Sequence, residues 1–203
     1  MKKYELTEET LTVSEKTLYR IRAVRDFGSV KTGEFGGYIE KEENLSHFGN
    51  AWISGDAWVS GDARVSGNAR VFGNAWVYGD ARVSGNARVF GNAWVSGNAR
   101  VFGNAWVYGE ARVSGNAWAY GNAEVFNTRH FFVQGPIGSR DGYVTFYRTK
   151  DDTVEVRCGC FSGSLQEFVN QVEETHGGSR YEKEYKLAAE LAKVCIRLEG
   201  ESR

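Results

Sequence analysis

Two short segments near the end of the chain combine arginine with glycine and serine, residue types that recognise small anions. Residues 135–140 form a glycine- and proline-containing run that ends in the guanidinium of Arg140. Residues 157–164 begin with Arg157 and lead from a predicted strand into a predicted helix, whose free backbone N–H groups favour an anion. An arginine can clamp a phosphate with two parallel hydrogen bonds. Tyr143 and Phe161 are aromatic and able to stack on a base.

These segments predict a site for a small anionic ligand such as a nucleotide. Its candidate residues are Ser139, Arg140, Tyr143, Arg157, Gly159, Phe161, Ser162 and Ser164. The alternative is ordinary structure, because glycine and serine before a helix also serve as turn and capping residues.

Catalytic and metal chemistry find little support in the sequence. The three cysteines, Cys158, Cys160 and Cys195, form neither a disulfide framework nor a complete metal site, so we expect reduced thiols, no metal and no cofactor. Cys158 as a nucleophile would need a histidine close in space. The histidines are His47, His130 and His176, of which His47 and His130 are candidates for a general base or simply structural residues.

The element that dominates the sequence is an uninterrupted array of thirteen six-residue repeats over residues 49–126, from GNAWIS to GNAEVF. Each repeat reads as a short strand, Ala-x-Val-x, followed by a corner of glycine with Asn, Asp or Glu. Alternation places Ala and Val inside and Trp or Arg outside. Gly-Asn and Gly-Asp tolerate the left-handed backbone angles that a tight corner requires. The sequence therefore predicts a parallel β-helix.

The aliphatic residue at every sixth position, with a small residue four positions later, resembles the hexapeptide-repeat family. Val65 with Ala69 and Val71 with Ala75 fit this pattern. The resemblance implies a left-handed coil of three hexads per turn, hence about four regular coils here, and a homotrimer. Enzymes of that family are mostly acyltransferases that use an acyl-coenzyme A and a histidine base. The array here contains no histidine and no loop excursion, which counts against acyl transfer.

Stacking every third hexad gives three different outer faces. One carries a tryptophan ladder, one an aromatic column, and one the arginines Arg64, Arg82 and Arg100. Stacked tryptophans exceed the apolar area that monomers usually expose. We expect another subunit or the C-terminal segment to cover the ladder, the aromatic column or both, with a carbohydrate or base platform as the alternative. The proposed docking residues are Trp58, Trp76, Trp94, Phe72, Phe90 and Tyr108.

The flanks differ from the repeat and set the domain boundaries. Residues 1–48 are predicted to form a β cap and a degenerate first coil, with Ile39, Leu45 and Ala51 six residues apart. Residues 127–203 are predicted to form an α+β unit with a hairpin turn at Lys150-Asp151-Asp152. Its first helix starts at Ser164, and its second spans about 181–198 and presents one face, formed by Leu187, Leu191, Val194 and Leu198.

Sequence motifs in both flanks also resemble those of a known protein family. KYELTEET and TLYRIRAVRDFGSVKTGEFGGYIEKEENLS at the start, and GPIGSRDGYVTFYRTK with VRCGCFSGSLQEF near the end, resemble a family of bacteriophage and prophage proteins. That family has no activity established as a class, so the resemblance implies an origin, and with it a role against host defence, more than a mechanism.

Net charge and hydropathy limit the classes of partner that we expect this protein to bind. Lys and Arg total 25 against 26 Asp and Glu, and no long apolar run or apolar leader is present. We therefore expect a cytoplasmic protein that binds neither membrane nor long nucleic acid. Three functions stay open: a non-catalytic binding protein that sequesters a small anion, a structural or protein-interaction module, and a hexapeptide acyltransferase.

Overall fold

The computed structural model describes residues 2–198, and the chain starts with a meander of strands. The first two strands, Tyr4–Val13 (β1) and Lys16–Ala23 (β2), pair antiparallel, and Phe35–Ile39 (β3) adds to β2. A short 3₁₀ turn follows at Glu42–Asn44. Ile39 pairs with Val59 and Leu45 bridges to Val65, both in parallel. This segment is therefore an irregular coil that leads into the array.

The thirteen hexads form a parallel β-helix, in which each hexad supplies one two-residue strand. The strands are Trp52–Ile53 (β4), Trp58–Val59 (β5), Arg64–Val65 (β6), Arg70–Val71 (β7), Trp76–Val77 (β8), Arg82–Val83 (β9), Arg88–Val89 (β10), Trp94–Val95 (β11), Arg100–Val101 (β12), Trp106–Val107 (β13), Arg112–Val113 (β14), Trp118–Ala119 (β15) and Glu124–Val125 (β16). Each of the first ten pairs in parallel with the strand three hexads later, as the repeat predicts. With the irregular coil, the solenoid has about five turns.

Three faces result, and they are named here by their strands. The first face is β4, β7, β10, β13 and β16; the second is β5, β8, β11 and β14, which continue through β3 into β1 and β2; the third is β6, β9, β12 and β15. The Ala and Val side chains of the hexads are buried in one continuous core. Trp52 shares the outward register of Arg70, and it is only 1% exposed because Tyr4 and Phe27 of the N-terminal segment cover it.

The C-terminal unit is a four-stranded antiparallel sheet with two helices. The strands are Phe131–Ile137 (β17), Gly142–Arg148 (β18), Val154–Cys158 (β19) and Phe161–Ser164 (β20), and the helices are Leu165–His176 (α1) and Arg180–Cys195 (α2). One side of the sheet, with Phe131, Val133 and Tyr147, packs against the solenoid core. The other side, with Val144, Phe146 and Val156, packs against α1 and α2. The sheet thus closes the open end of the β-helix.

Three details of this unit differ from expectation. Residues 135–137 continue strand β17, so the turn occupies only 138–141. Residues 161–164 form a strand before the helix begins. Helix α2 buries Ala188, Ala189 and Ala192, whereas Leu187, Leu191 and Val194 are 71%, 46% and 80% exposed. Small residues let α2 approach the sheet and α1 closely, so the packed face is the opposite of the one that side-chain size predicted. No helix in residues 2–198 is long and apolar enough to span a membrane.

Candidate functional site

A cavity of about 800 Å³ lies where the C-terminal unit meets the third face of the β-helix. Pockets that take drug-sized ligands measure about 300–1,000 Å³, so this one is in the upper part of that range. The β-helix supplies Asn98, Arg100, Asn116 and Trp118 to its wall. The sheet and its turns supply Arg140, Tyr143, Thr145, Arg157 and their neighbours, and the helices supply Phe168, Gln171, Val172, Thr175, His176 and Tyr185.

Most of the residues singled out in the sequence meet in this cavity. Ser139, Arg140, Tyr143, Arg157, Gly159 and Phe161 all line it. The sheet brings them together because Tyr143 lies near the start of β18 and Arg157 near the end of β19, and these two strands are paired antiparallel. Ser162 and Ser164 are not among the lining residues. Ser162 follows Phe161 in β20, and Ser164 caps α1.

The helix N-terminus that the sequence offered for an anion is closed by a capping box. Ser164 Oγ accepts from the Glu167 N–H, while the Glu167 carboxylate accepts from the Ser164 N–H at 2.8 Å. A carboxylate therefore occupies the place where an anion would bind, and it would repel a second one. The capping box therefore disfavours anion binding at this terminus.

The β-helix side of the cavity is cationic. The guanidinium carbons of Arg100 and Arg157 lie 5.0 and 5.5 Å from the ring centre of Trp118. Arg157 also lies 5.1 Å from the Tyr120 ring, and its Nε is buried with no hydrogen-bond partner in the described chain. None of the lining residues is Asp or Glu. No ion pair joins Arg100, Arg140 or Arg157 to any residue of 2–198.

Arg100, Trp118, Asn98 and Asn116 were missed as site residues, although a signal for them exists in the repeat. The corner residues that precede the third-face strands are Asp62, Asp80, Asn98 and Asn116 along the array. The column thus changes from acidic to neutral in the two coils that line the cavity. Arg64 and Arg82 have an aspartate two residues away, and Arg100 has none. A break in the charge pattern of an otherwise regular repeat marks the site.

The helix side of the cavity presents the Cys158 thiol and the Tyr185 phenol, near the charges of Arg140 and Glu184. Cys158 Sγ donates to the Tyr185 hydroxyl at 4.0 Å. Burial raises the pKa of the Cys158 thiol, and burial together with the neighbouring Cys158 raises the pKa of Tyr185 to about 12. Both groups are therefore protonated at neutral pH. A neutral thiol is a weak nucleophile, so this environment argues against nucleophilic catalysis by Cys158.

His47 and His130 lie outside the residues that line the cavity. His47 stacks on Tyr4, with ring centres 4.3 Å apart, and its Nδ1 accepts from the Lys3 backbone N–H at 3.3 Å. His130 is 4% exposed and packs edge-on against Phe126. Within the chain, both histidines therefore make structural contacts.

The buried His130 predicts a pH dependence of stability. Burial, with a contribution from the Arg148 charge, lowers the pKa of His130 to about 4. The unfolded chain binds this proton near pH 6.5 and the folded chain does not, so stability falls as pH falls from 6.5 towards 4. Between pH 7 and 4.5 we expect a loss of about 2–3 kcal/mol that His130→Gln abolishes. Urea unfolding at both pH values measures it, with His176→Gln as the control. An equal loss in the His130 variant would contradict the assignment.

The aromatic columns stack on themselves. The rings of Trp76 and Trp94 are 4.5 Å apart, and Trp58 and Trp76 are 5.0 Å apart. Phe90 is 4.8 Å from both Phe72 and Tyr108, with parallel rings. Arg112 covers the remaining side of Trp94 at 4.3 Å. Within each column, the rings cover one another's faces, so mainly their edges are open to a ligand. Sugars and bases stack on ring faces, and this arrangement therefore disfavours a binding platform for them.

The C-terminal unit contacts the last two coils of the first face. Arg148 lies 5.2 Å from the Phe126 ring and Lys150 4.3 Å from the Trp106 ring. Trp76, Trp94, Phe72 and Phe90 stay partly exposed. Coverage of the tryptophan ladder by a second subunit stays a prediction.

The similarity to a known protein family lies within the hexad array. A family model described as the YdcK β-solenoid repeat matches residues 63–79, 81–97 and 93–109, all inside the array. No curated protein matches the chain. The match and the coiled architecture agree, and the chain is a β-solenoid repeat protein.

Proposed function

We propose that this protein is a non-catalytic binding protein that captures a small organic anion in the cavity between the third face and the C-terminal unit. The observation that carries the proposal is the buried Nε of Arg157, which has no partner in the described chain and lies in a cavity without a lining carboxylate. A buried donor left unsatisfied costs about 1–3 kcal/mol. A bound anion would recover that cost.

Native mass spectrometry of gently purified protein tests this proposal. The probes are inorganic phosphate, adenosine monophosphate and acetyl-coenzyme A, each added to protein from which bound small molecules have been removed. Binding of phosphate or the nucleotide supports the proposal. Binding of acetyl-coenzyme A alone would favour the acyltransferase instead, and no binding of any probe would contradict capture of an anion.

The proposal also includes the handedness of the coil, the oligomeric state and the origin of the protein. The hexad pattern supports a left-handed coil and a homotrimer, and the flanking segments support a bacteriophage or prophage origin. In an infected cytoplasm, a protein that removes a nucleotide signal would blunt host defence. The masses in the native spectrum test the trimer directly, and a monomer would contradict it.

A protein-interaction module is the second candidate, favoured by the aliphatic stripe on α2. Leu187, Leu191 and Val194 repeat at helical spacing and are exposed together. Such a stripe is typical of a surface that binds another protein. If Leu187→Glu and Val194→Glu dissociate the native assembly while all probes fail to bind, this candidate replaces the first.

A further inference from the structure

The two sides of the cavity have opposite character. The side formed by Arg100, Arg157 and Trp118 carries positive charge. The other side is formed by Phe161, Phe168, Val172 and Tyr185, which belong to or pack against the core of the C-terminal unit. A ligand with an anionic group at one end and a planar, largely apolar group at the other would match both sides.

We propose that the ligand is a nucleotide whose phosphate contacts Arg100 and Arg157 and whose base lies against Phe161 and Tyr185. This inference rests on the proposed function and adds to it the chemical class of the ligand and its direction in the cavity.

The phosphate end follows from the donors that converge beside Trp118. Arg100 and Arg157 both contact the Trp118 ring, with guanidinium carbons 5.0 and 5.5 Å from its centre, and both line the cavity, so both can donate to one anion there. Asn98 donates to the Asn116 side-chain oxygen at 3.2 Å, which leaves the Asn116 amide N–H groups free to donate. Guanidinium forks with an added amide match the several acceptor oxygens of a phosphate.

The base end follows from neutral groups that can both stack and form hydrogen bonds. The Phe161 and Phe168 rings are 5.5 Å apart, and the Phe168 and Tyr185 rings are 5.7 Å apart, so they form one aromatic wall. The Tyr185 hydroxyl stays protonated at neutral pH because burial raises its pKa to about 12. Gln171 and Thr175 add polar groups from α1. A base needs this combination, since its faces are apolar and its edges are polar.

Isothermal titration calorimetry on the full chain tests the inference. The probes are the four ribonucleoside 5′-monophosphates, their nucleosides and inorganic phosphate. We expect one monophosphate to bind at least about 10-fold more tightly than phosphate and than its own nucleoside, because both ends then contribute. Phosphate that binds as tightly as every monophosphate would overturn the nucleotide and leave anion capture intact. A chain that binds no probe would overturn both.

Variants separate the two ends. Arg100→Gln should weaken the best monophosphate by about 10- to 100-fold. Arg82→Gln is the matched control, because Arg82 pairs with Arg100 in the adjacent coil, lies outside the cavity lining and removes the same charge. Phe161→Leu should weaken the monophosphate about 10-fold and leave phosphate unchanged. Equal effects of Arg100→Gln and Arg82→Gln, or an unchanged monophosphate affinity in Phe161→Leu, would overturn the proposed direction.

Discussion

Arg157→Gln is expected to weaken binding of the anionic ligand by about 100-fold, because loss of one partner from a buried charge pair costs about 2–5 kcal/mol. The same substitution should leave the ligand-free protein as stable as before, or make it more stable. Without ligand, the Arg157 Nε is buried with no partner in the described chain, and removing such a donor relieves its desolvation cost. Calorimetry for binding and urea unfolding for stability measure the two effects.

Opposite changes in affinity and stability distinguish a binding residue from a structural one. Arg157→Lys retains the charge but loses the paired N–H groups, so we expect an intermediate affinity. Arg82→Gln, on the same face but outside the cavity lining, controls for the change in net charge. If Arg157→Gln lowers stability and leaves affinity unchanged, Arg157 serves to pack against Trp118 and Tyr120.

Gly85→Ala is expected to destabilise the β-helix by about 2–5 kcal/mol, through two separable costs. Gly85 has a φ of +70°, which strains any residue with a Cβ atom. A Cβ there would also lie 2.9 Å from the backbone nitrogen of Gly103 in the next coil. Because the obstacle is backbone, the coils must separate locally and weaken their hydrogen bonds. Urea or guanidinium unfolding measures the loss.

Gly115→Ala is the matched control, because it retains the first cost and lacks the second. Gly115 has a φ of +65°, but a Cβ there would meet no heavy atom within 4 Å. We expect a loss of only about 1–2 kcal/mol, the strain of the left-handed conformation. Equal losses at the two glycines would mean that the distance between coils plays no part in the choice of glycine.

The sequence alone determined the β-helix, because the residue pattern of each hexad is local and occurs thirteen times in succession. A strand of Ala-x-Val followed by a glycine corner permits one way of burying Val and Ala, and stacking then pairs Trp58 with Trp76 and Arg82 with Arg100. The sequence also indicated Arg140, Arg157, Tyr143 and Phe161 by residue type.

Only the tertiary structure decided which residues share the cavity and which face of α2 is packed, because both depend on contacts between segments far apart in the chain. The sheet of the C-terminal unit packs Phe131, Val133 and Tyr147 onto the open end of the solenoid, and this places Arg157 against Trp118, the ring that Arg100 also contacts. No local pattern encodes that meeting. On α2 the close approach of neighbouring elements selected the alanine face over the leucine face. Local periodicity fixes which way a side chain points along its own element, whereas packing fixes which face is covered and which residues share a cavity.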